Sequence, residues 1–99
     1  MKKILITRKL IKVSEEHASK IFEVKLNNED KFLTKDEIIH HSNDCDGILS
    51  SITDQINSDI ISKLSKKVKI ISNFAVGFGN IDIIAAKKKN IIITNTPDV

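Results

Sequence analysis

Three stretches of this chain carry residue types from which a ligand site can be built. The richest is Asn73-Phe74-Ala75-Val76-Gly77-Phe78-Gly79-Asn80, set between an isoleucine-rich run and a helical pattern. The first N–H groups of a helix lack intrahelical partners and carry partial positive charge, so a carboxylate or phosphate binds readily there. Gly77 and Gly79 have no Cβ and let the backbone approach a ligand closely. Ser51-Ile52-Thr53 and Thr7-Arg8-Lys9 each follow an apolar run in the same way. The chemistry on offer is capture of a small anion by main-chain amides at Ala75, Val76 and Gly77. The competing reading is an ordinary strand-to-helix turn that uses glycine for its dihedral angles, and spacing alone favours that plainer reading.

Other chemistries find less support. Gly77-Phe78-Gly79 resembles the start of a dinucleotide fingerprint, but Asp82 stands where a small third residue is required, and its charge repels a pyrophosphate. His17, His40 and His41 have no cysteine or carboxylate at metal-ligand spacing, and adjacent His40 and His41 are expected on different sides of a helix. They read as surface or capping residues. Cys45 has no recognisable base partner. Ser50, Ser51 and Thr53 lack a triad context, Asp44 and Asp46 read as turn residues, and Arg8 reads as a solvated surface residue. A receiver-like signalling domain needs clustered acids after its first strand, and Thr7-Arg8-Lys9 stands there.

The elements that must position these loops follow from periodicity. Short runs with apolar, often β-branched residues at 3–7, 23–26, 47–50, 69–73 and 91–94 predict five strands. Helical spacing between them predicts a helix capped by Ser14 with Ala18, Ile21 and Phe22 inward. A second begins at the Thr34 to Glu37 capping box, with Leu33 and Ile38 as its hydrophobic staple. A third is capped by Asn57, with Ile56 and Ile61 as staple, and carries Ile60, Ile61, Leu64 and Val68 on one face. A fourth spans 81–88 with Ile81, Ile84 and Ala85 inward. Alternating strands and helices imply an α/β, flavodoxin-like three-layer sandwich: a five-stranded parallel sheet in the order 2-1-3-4-5, with ligands outside the carboxyl ends of the strands. Pro97 prevents the fifth strand from continuing. With no helix after that strand, one face of the sheet is expected to be thinly covered.

Composition bounds the class. The chain has 99 residues, 40% hydrophobic and 29% charged, enough for one globular domain with a modest core. The apolar runs are too short to cross a bilayer, and the opening Met-Lys-Lys run breaks at Thr7-Arg8-Lys9, too early for a signal peptide. The single cysteine agrees with a cytoplasmic protein. A net charge of +3 is spread along the chain. Its densest run, Lys87-Lys88-Lys89, reads as a helix end favoured by the dipole rather than a nucleic-acid patch, since no stacking aromatics accompany it.

From Ser72 to Val99 the sequence SNFAVGFGNIDIIAAKKKNIIITNTPDV resembles the D-2-hydroxyacid dehydrogenases, in particular their glyoxylate and hydroxypyruvate reductase branch. An apolar strand leads to Ala-Val-Gly, an aromatic, Asn-Ile-Asp, a helix, a second apolar strand and Asn-Thr-Pro. The start Lys3 to Lys9, with Asp46-Gly47-Ile48-Leu49 and Thr53-Asp54-Gln55-Ile56, is similar more loosely. Gly79 departs from the family, which usually has Asp there, and leaves Asn80 or Asp82 to cap the next helix. The resemblance implies that the amides of Ala75, Val76 and Gly77 hold a substrate carboxylate and that Ser51 and Ile52 touch the substrate. It implies an enzyme interconverting a 2-keto acid and a D-2-hydroxy acid with NAD or NADP. The family's clamping Arg, its His–Glu pair and its cofactor-binding Rossmann domain would lie beyond Val99. The expectation is therefore an N-terminal substrate-binding domain fragment over residues 1–99, without a catalytic residue or a tightly bound cofactor of its own, that self-associates into a homo-oligomer. The alternative is a stand-alone flavodoxin-like module that binds a small acid or a protein partner.

Overall fold

A computed structural model of the chain describes residues 2–10, 12–27, 29–51, 54–74 and 79–95. Among them the elements alternate: β1 (Lys3–Ile6), α1 (Lys12–Ile21), β2 (Glu23–Lys25), α2 (Lys35–His41), β3 (Gly47–Ser51), α3 (Ser58–Lys63), β4 (Ile70–Phe74), α4 (Ile83–Lys88) and β5 (Ile92–Asn95). All neighbouring strands pair in parallel, in the order β2-β1-β3-β4-β5, as the alternation predicts. Every carboxyl end therefore lies along one rim of the sheet.

Register sorts the strand residues by face. Leu5, Ile48, Ile71 and Ile93 form one row across the sheet. Behind this row lies the main core, in which Ile48 and Ile71 join Leu33 and Ile38 beside α2, Ile60 and Ile61 from α3, and Ala86 from α4. The β-branched residues pack well against the pleated surface. The row one residue earlier, Ile4, Gly47, Ile70 and Ile92, points the other way, toward the side that carries α1. Gly47 is required there by space: a Cβ would stand 2.9 Å from Ile70 Cγ2 and 3.3 Å from the Ile70 carbonyl oxygen.

Helix ends are set locally. Thr34 caps α2 as a capping box: its hydroxyl accepts from Glu37 N at 3.2 Å and its own N–H donates to Glu37 Oε1 at 2.9 Å. Asn57 caps α3 through Ile60 N at 3.0 Å. Both staple pairs lie in the one core cluster. Helix α4 ends on Asn90, whose φ of 61° reverses the chain. There Asn90 N donates to Lys87 O at 3.1 Å and Ile91 N to Ala86 O at 2.9 Å, which is the paired closure of a Schellman motif. Lys89 Nζ reaches across to α3, donating to Ile61 O at 2.9 Å, Ser62 O at 3.3 Å and Leu64 O.

Four sequence expectations are corrected. Helix α1 begins at Lys12, so Ser14 lies in its first turn and is not its cap. Ile21 is half exposed rather than inward, and the buried residue of α1 is Glu15, whose carboxylate accepts from Leu10 N at 3.1 Å. Leu64 leaves the helical conformation as the C-cap of α3, so Val68 reaches the core from a loop. Helix α4 starts at Ile83, so Ile81 precedes it and pairs with Ile56 as an isolated parallel bridge. Ile84 is 70% exposed, and Ala86 takes the inward place. At α4 the polar cap Asp82 set the helix start against the apolar period.

At the amino rim, Asp44 accepts from Lys25 Nζ at 2.5 Å and Lys3 Nζ at 2.8 Å, and Asp46 accepts from Lys3 N at 2.8 Å. The Lys25 ammonium, then that of Lys3, holds the Asp44 carboxyl well below its ordinary value of 3.8. A carboxylate with a depressed folded pKa stabilises the fold above its unfolded pKa and loses that contribution as pH falls. The thermal midpoint is expected to begin falling below about pH 4, and Asp44→Asn should flatten that slope. Calorimetry from pH 6 to pH 2 checks it, and identical slopes for parent and variant would count against the assignment.

Candidate functional site

The carboxyl rim is built on a buried polar cluster drawn from the ends of β1, β3 and β4. Thr7, Ser50, Asp54, Asn73 and Asn80 are all buried, in a region where each unpaired polar atom is costly. Asn73 and Asn80 pair through their amides: Asn73 Nδ2 donates to Asn80 Oδ1 at 2.8 Å, and Asn80 Nδ2 to Asn73 Oδ1 at 3.2 Å. The hydroxyl of Ser50 donates to Asn73 Oδ1 at 3.0 Å. Asn80 Nδ2 also donates to the main-chain oxygens of Ser51 at 2.9 Å and Asp54 at 2.8 Å. One side chain thus ties the loop after β3 to the connection between β4 and α4.

The backbone reinforces this tie. Ile56 N donates to Asn80 O at 2.8 Å and Asp82 N to Ile56 O at 2.9 Å. From the other side, Asp54 Oδ2 accepts from Ser51 N at 2.9 Å, from Ser51 Oγ at 3.3 Å and from the hydroxyl of Thr7. Thr7 N donates to Leu49 O at 3.1 Å. Three rim loops are held in one hydrogen-bonded unit. Sequence reading placed Thr7 and Asn80 in candidate ligand loops, with Asn80 also a candidate helix cap, and gave Asp54 no role beyond its place in the family resemblance. The signal lay in Thr7, Asn73 and Asp54 being polar residues at the ends of apolar strands, where burial demands partners.

The sequence-predicted residues divide. Ser51 stands on the rim within this unit. Ala75, Val76, Gly77 and Ile52 lie outside the described residues. Their flanks do not: Asn73 and Asn80 bracket the first group, and Ser51 and Asp54 bracket Ile52. The Asn80–Ser51 and Asn80–Asp54 hydrogen bonds bring the two brackets together. Of the proposed caps for α4, Asp82 does the work, with Oδ1 accepting from Ala85 N at 3.0 Å. Its carboxylate thus stands at the start of α4, where it meets one of the helix's first amides.

Arg8 is engaged at the rim's edge. It grips Asp30 through Nε at 2.9 Å and Nη2 at 3.3 Å and lies 5.9 Å from the centroid of the Phe32 ring. The Asp30 hydrogen bond raises its pKa further. The rings of His40 and His41 lie edge-on with centroids 5.5 Å apart, not on opposite sides. Cys45 is fully buried, and burial pushes its thiol pKa up, which suits an inert thiol. Among the described residues no group of three or more His, Cys, Asp or Glu side chains is placed to hold a metal ion, and no helix is long and apolar enough to cross a membrane.

Comparison with known proteins identifies relatives of this chain. The family model for the D-isomer specific 2-hydroxyacid dehydrogenase catalytic domain matches residues 4–99. A glyoxylate reductase of Thermococcus onnurineus is 35% identical over 98% of this chain and 29% of its own length. A glycerate dehydrogenase of Hyphomicrobium methylovorum is 30% identical over 97% of this chain and 30% of its own length. The crystal structure of a putative NAD-binding D-isomer specific 2-hydroxyacid dehydrogenase from Polaromonas superposes with a TM-score of 0.94 at 28% identity, covering 99% of this chain and 31% of that one. The chain thus spans under a third of the length of the relatives it matches.

Removing the Asn80 side chain takes a hydrogen bond from two main-chain oxygens and from the Asn73 amide in a buried site. Asn80→Ala is expected to cost about 2–3 kcal/mol. Asn80→Asp should cost at least as much, because a carboxylate cannot donate and brings a buried charge. Denaturant titration checks both, and a loss below about 0.5 kcal/mol would mean that the cluster does not hold the rim.

Proposed function

Because the chain belongs to the D-isomer specific 2-hydroxyacid dehydrogenase family, we propose that it supplies the acid-binding wall of an oxidoreductase that interconverts a 2-keto acid, of the glyoxylate or hydroxypyruvate kind, and a D-2-hydroxy acid. In this reading the main-chain amides of Ala75, Val76 and Gly77 hold the substrate carboxylate, and Ser51 and Ile52 line the same pocket. The observation that carries it is the Asn80 tie. It joins the segments flanking both loops at the carboxyl rim of a parallel sheet, where such folds place their ligands. Amides fixed by a rigid unit bind an anion without paying to order themselves at that moment.

The hydride for the reaction comes from NAD or NADP. We place that cofactor on a Rossmann domain outside residues 1–99, since Asp82 stands where a dinucleotide fingerprint requires a small residue. The arginine that clamps substrate and the proton-transferring histidine belong outside these residues too. In this reading the 99-residue chain is a cytoplasmic, N-terminal substrate-binding domain, inactive alone. Titrating the 15N-labelled chain with oxalate or glyoxylate should give saturable shifts at the amides of Val76, Gly77 and Ser51, without any oxidation of added NADH. Saturable shifts confined to other surfaces would end the acid-binding reading, and turnover by this chain alone would end the assignment of catalysis elsewhere.

We further propose that the chain self-associates through the α1 side of its sheet. Val13, His17 and Ile21 form an i, i+4, i+8 stripe along a groove of about 720 Å³, floored by Ile4, Leu49 and Ile70. Val13 is 72% exposed, and Ile92, on the same face, 62%. Contiguous apolar surface of this kind favours a partner. Sedimentation should show a dimer or larger species, and Val13→Glu should shift it toward monomer. A parent chain that stays monomeric at millimolar concentration would refute the association.

A further inference from the structure

Asp54 combines two features that a plain loop brace does not need. It is 1% exposed, and among the described residues its side-chain hydrogen bonds converge on Oδ2, from Thr7 Oγ, Ser51 N and Ser51 Oγ. Its other oxygen, Oδ1, is buried without a hydrogen-bond partner. An asparagine oxygen would accept the same three donors with far less desolvation. What the carboxylate adds is strength, because hydrogen bonds to a charged acceptor are roughly twice as strong as neutral ones. That strength is concentrated where the loop after β3 meets the end of β1. The same loop is held on its opposite side by Asn80, through the main-chain oxygens of Ser51 and Asp54. The loop is thus gripped between two clamps, one ionic and one amide.

We propose that Asp54 is a positioning residue of the acid-binding rim. Its charge locks the loop after β3 against Thr7, so that this loop and the connection from β4 to α4 keep one separation. Asp54 touches no ligand, yet acid affinity depends on it. The inference rests on the acid-binding reading and adds a residue and a physical mechanism to it.

The test compares Asp54→Asn, Thr7→Val and Thr7→Ser with the parent chain by three measurements: oxalate affinity from NMR titration, thermal midpoint, and hydrogen exchange at the Ser51 amide. Asp54→Asn keeps the shape and removes the charge, and should weaken oxalate about tenfold, the equivalent of one weakened charge-assisted clamp. Its thermal midpoint should drop by only a few degrees. The Ser51 amide should exchange faster, while Ile48 and Ile71 stay protected. Thr7→Val should repeat this pattern, and Thr7→Ser, which keeps the hydroxyl, should restore parental affinity. Parental oxalate affinity in Asp54→Asn would overturn the proposal. So would affinity that merely follows the thermal midpoint through the series. If the parent itself does not bind oxalate, the acid-binding reading fails, and Ser51 exchange decides the clamp alone: an unchanged rate in Asp54→Asn overturns it.

Discussion

The structure depends on one constraint: polar side chains at the carboxyl ends of three buried strands must find partners without water. Apolar strands in a parallel sheet end inside the protein, and any polar group placed there carries a desolvation cost. Here that cost is met mainly by mutual satisfaction, with Asp54 Oδ1 the exception. Asn73 and Asn80 exchange amide hydrogen bonds, Ser50 donates into the pair, and Asn80 reaches the main chain of Ser51 and Asp54. The polar groups that could have destabilised the rim become the links that hold it. Because each link joins residues far apart in sequence, the rim forms only when the sheet does, and its loops inherit the rigidity of the sheet.

The two faces of the sheet follow different rules. Behind the row of Leu5, Ile48 and Ile71, three short helices close a continuous core whose largest side chains are isoleucines. On the other face α1 is the one helix among the described residues, and the row of Ile4, Gly47 and Ile70 borders an open groove. The hydrophobic effect scales with apolar area removed from water, so the first face carries most of the stabilisation. The second leaves Val13 and Ile92 exposed. The two rims differ as well. At the amino rim, ion pairs from Lys3 and Lys25 to Asp44 fasten exposed loops and respond to pH. At the carboxyl rim, neutral amides and one buried carboxylate do the fastening.

This division is found in a chain that spans under a third of its relatives' length. The segments on either side of residues 75–78 belong to one hydrogen-bonded unit. Asp82 caps α4 and Asn80 holds the neighbouring loop. The family's frequent Asp at the Gly79 position is therefore not required to start the helix.

Much of this was legible in the sequence. Alternating apolar runs and helical spacing determined five parallel strands and their order, since right-handed crossovers leave few arrangements. The capping box at Thr34 to Glu37 and the cap at Asn57 were readable because a cap is set by neighbours in the chain. The position of the candidate site at the carboxyl rim followed from topology. Tertiary structure alone decided which polar residues meet. Thr7 and Asp54 are 47 positions apart, and Asn80 and Ser51 are 29 apart. No local period records such pairs, because they exist only after the strands align. The same holds for the misread faces: Ile84 and Ile21 fit an inward helical period, yet their exposure was settled by where short helices stop and by which face of the sheet lacks a cover.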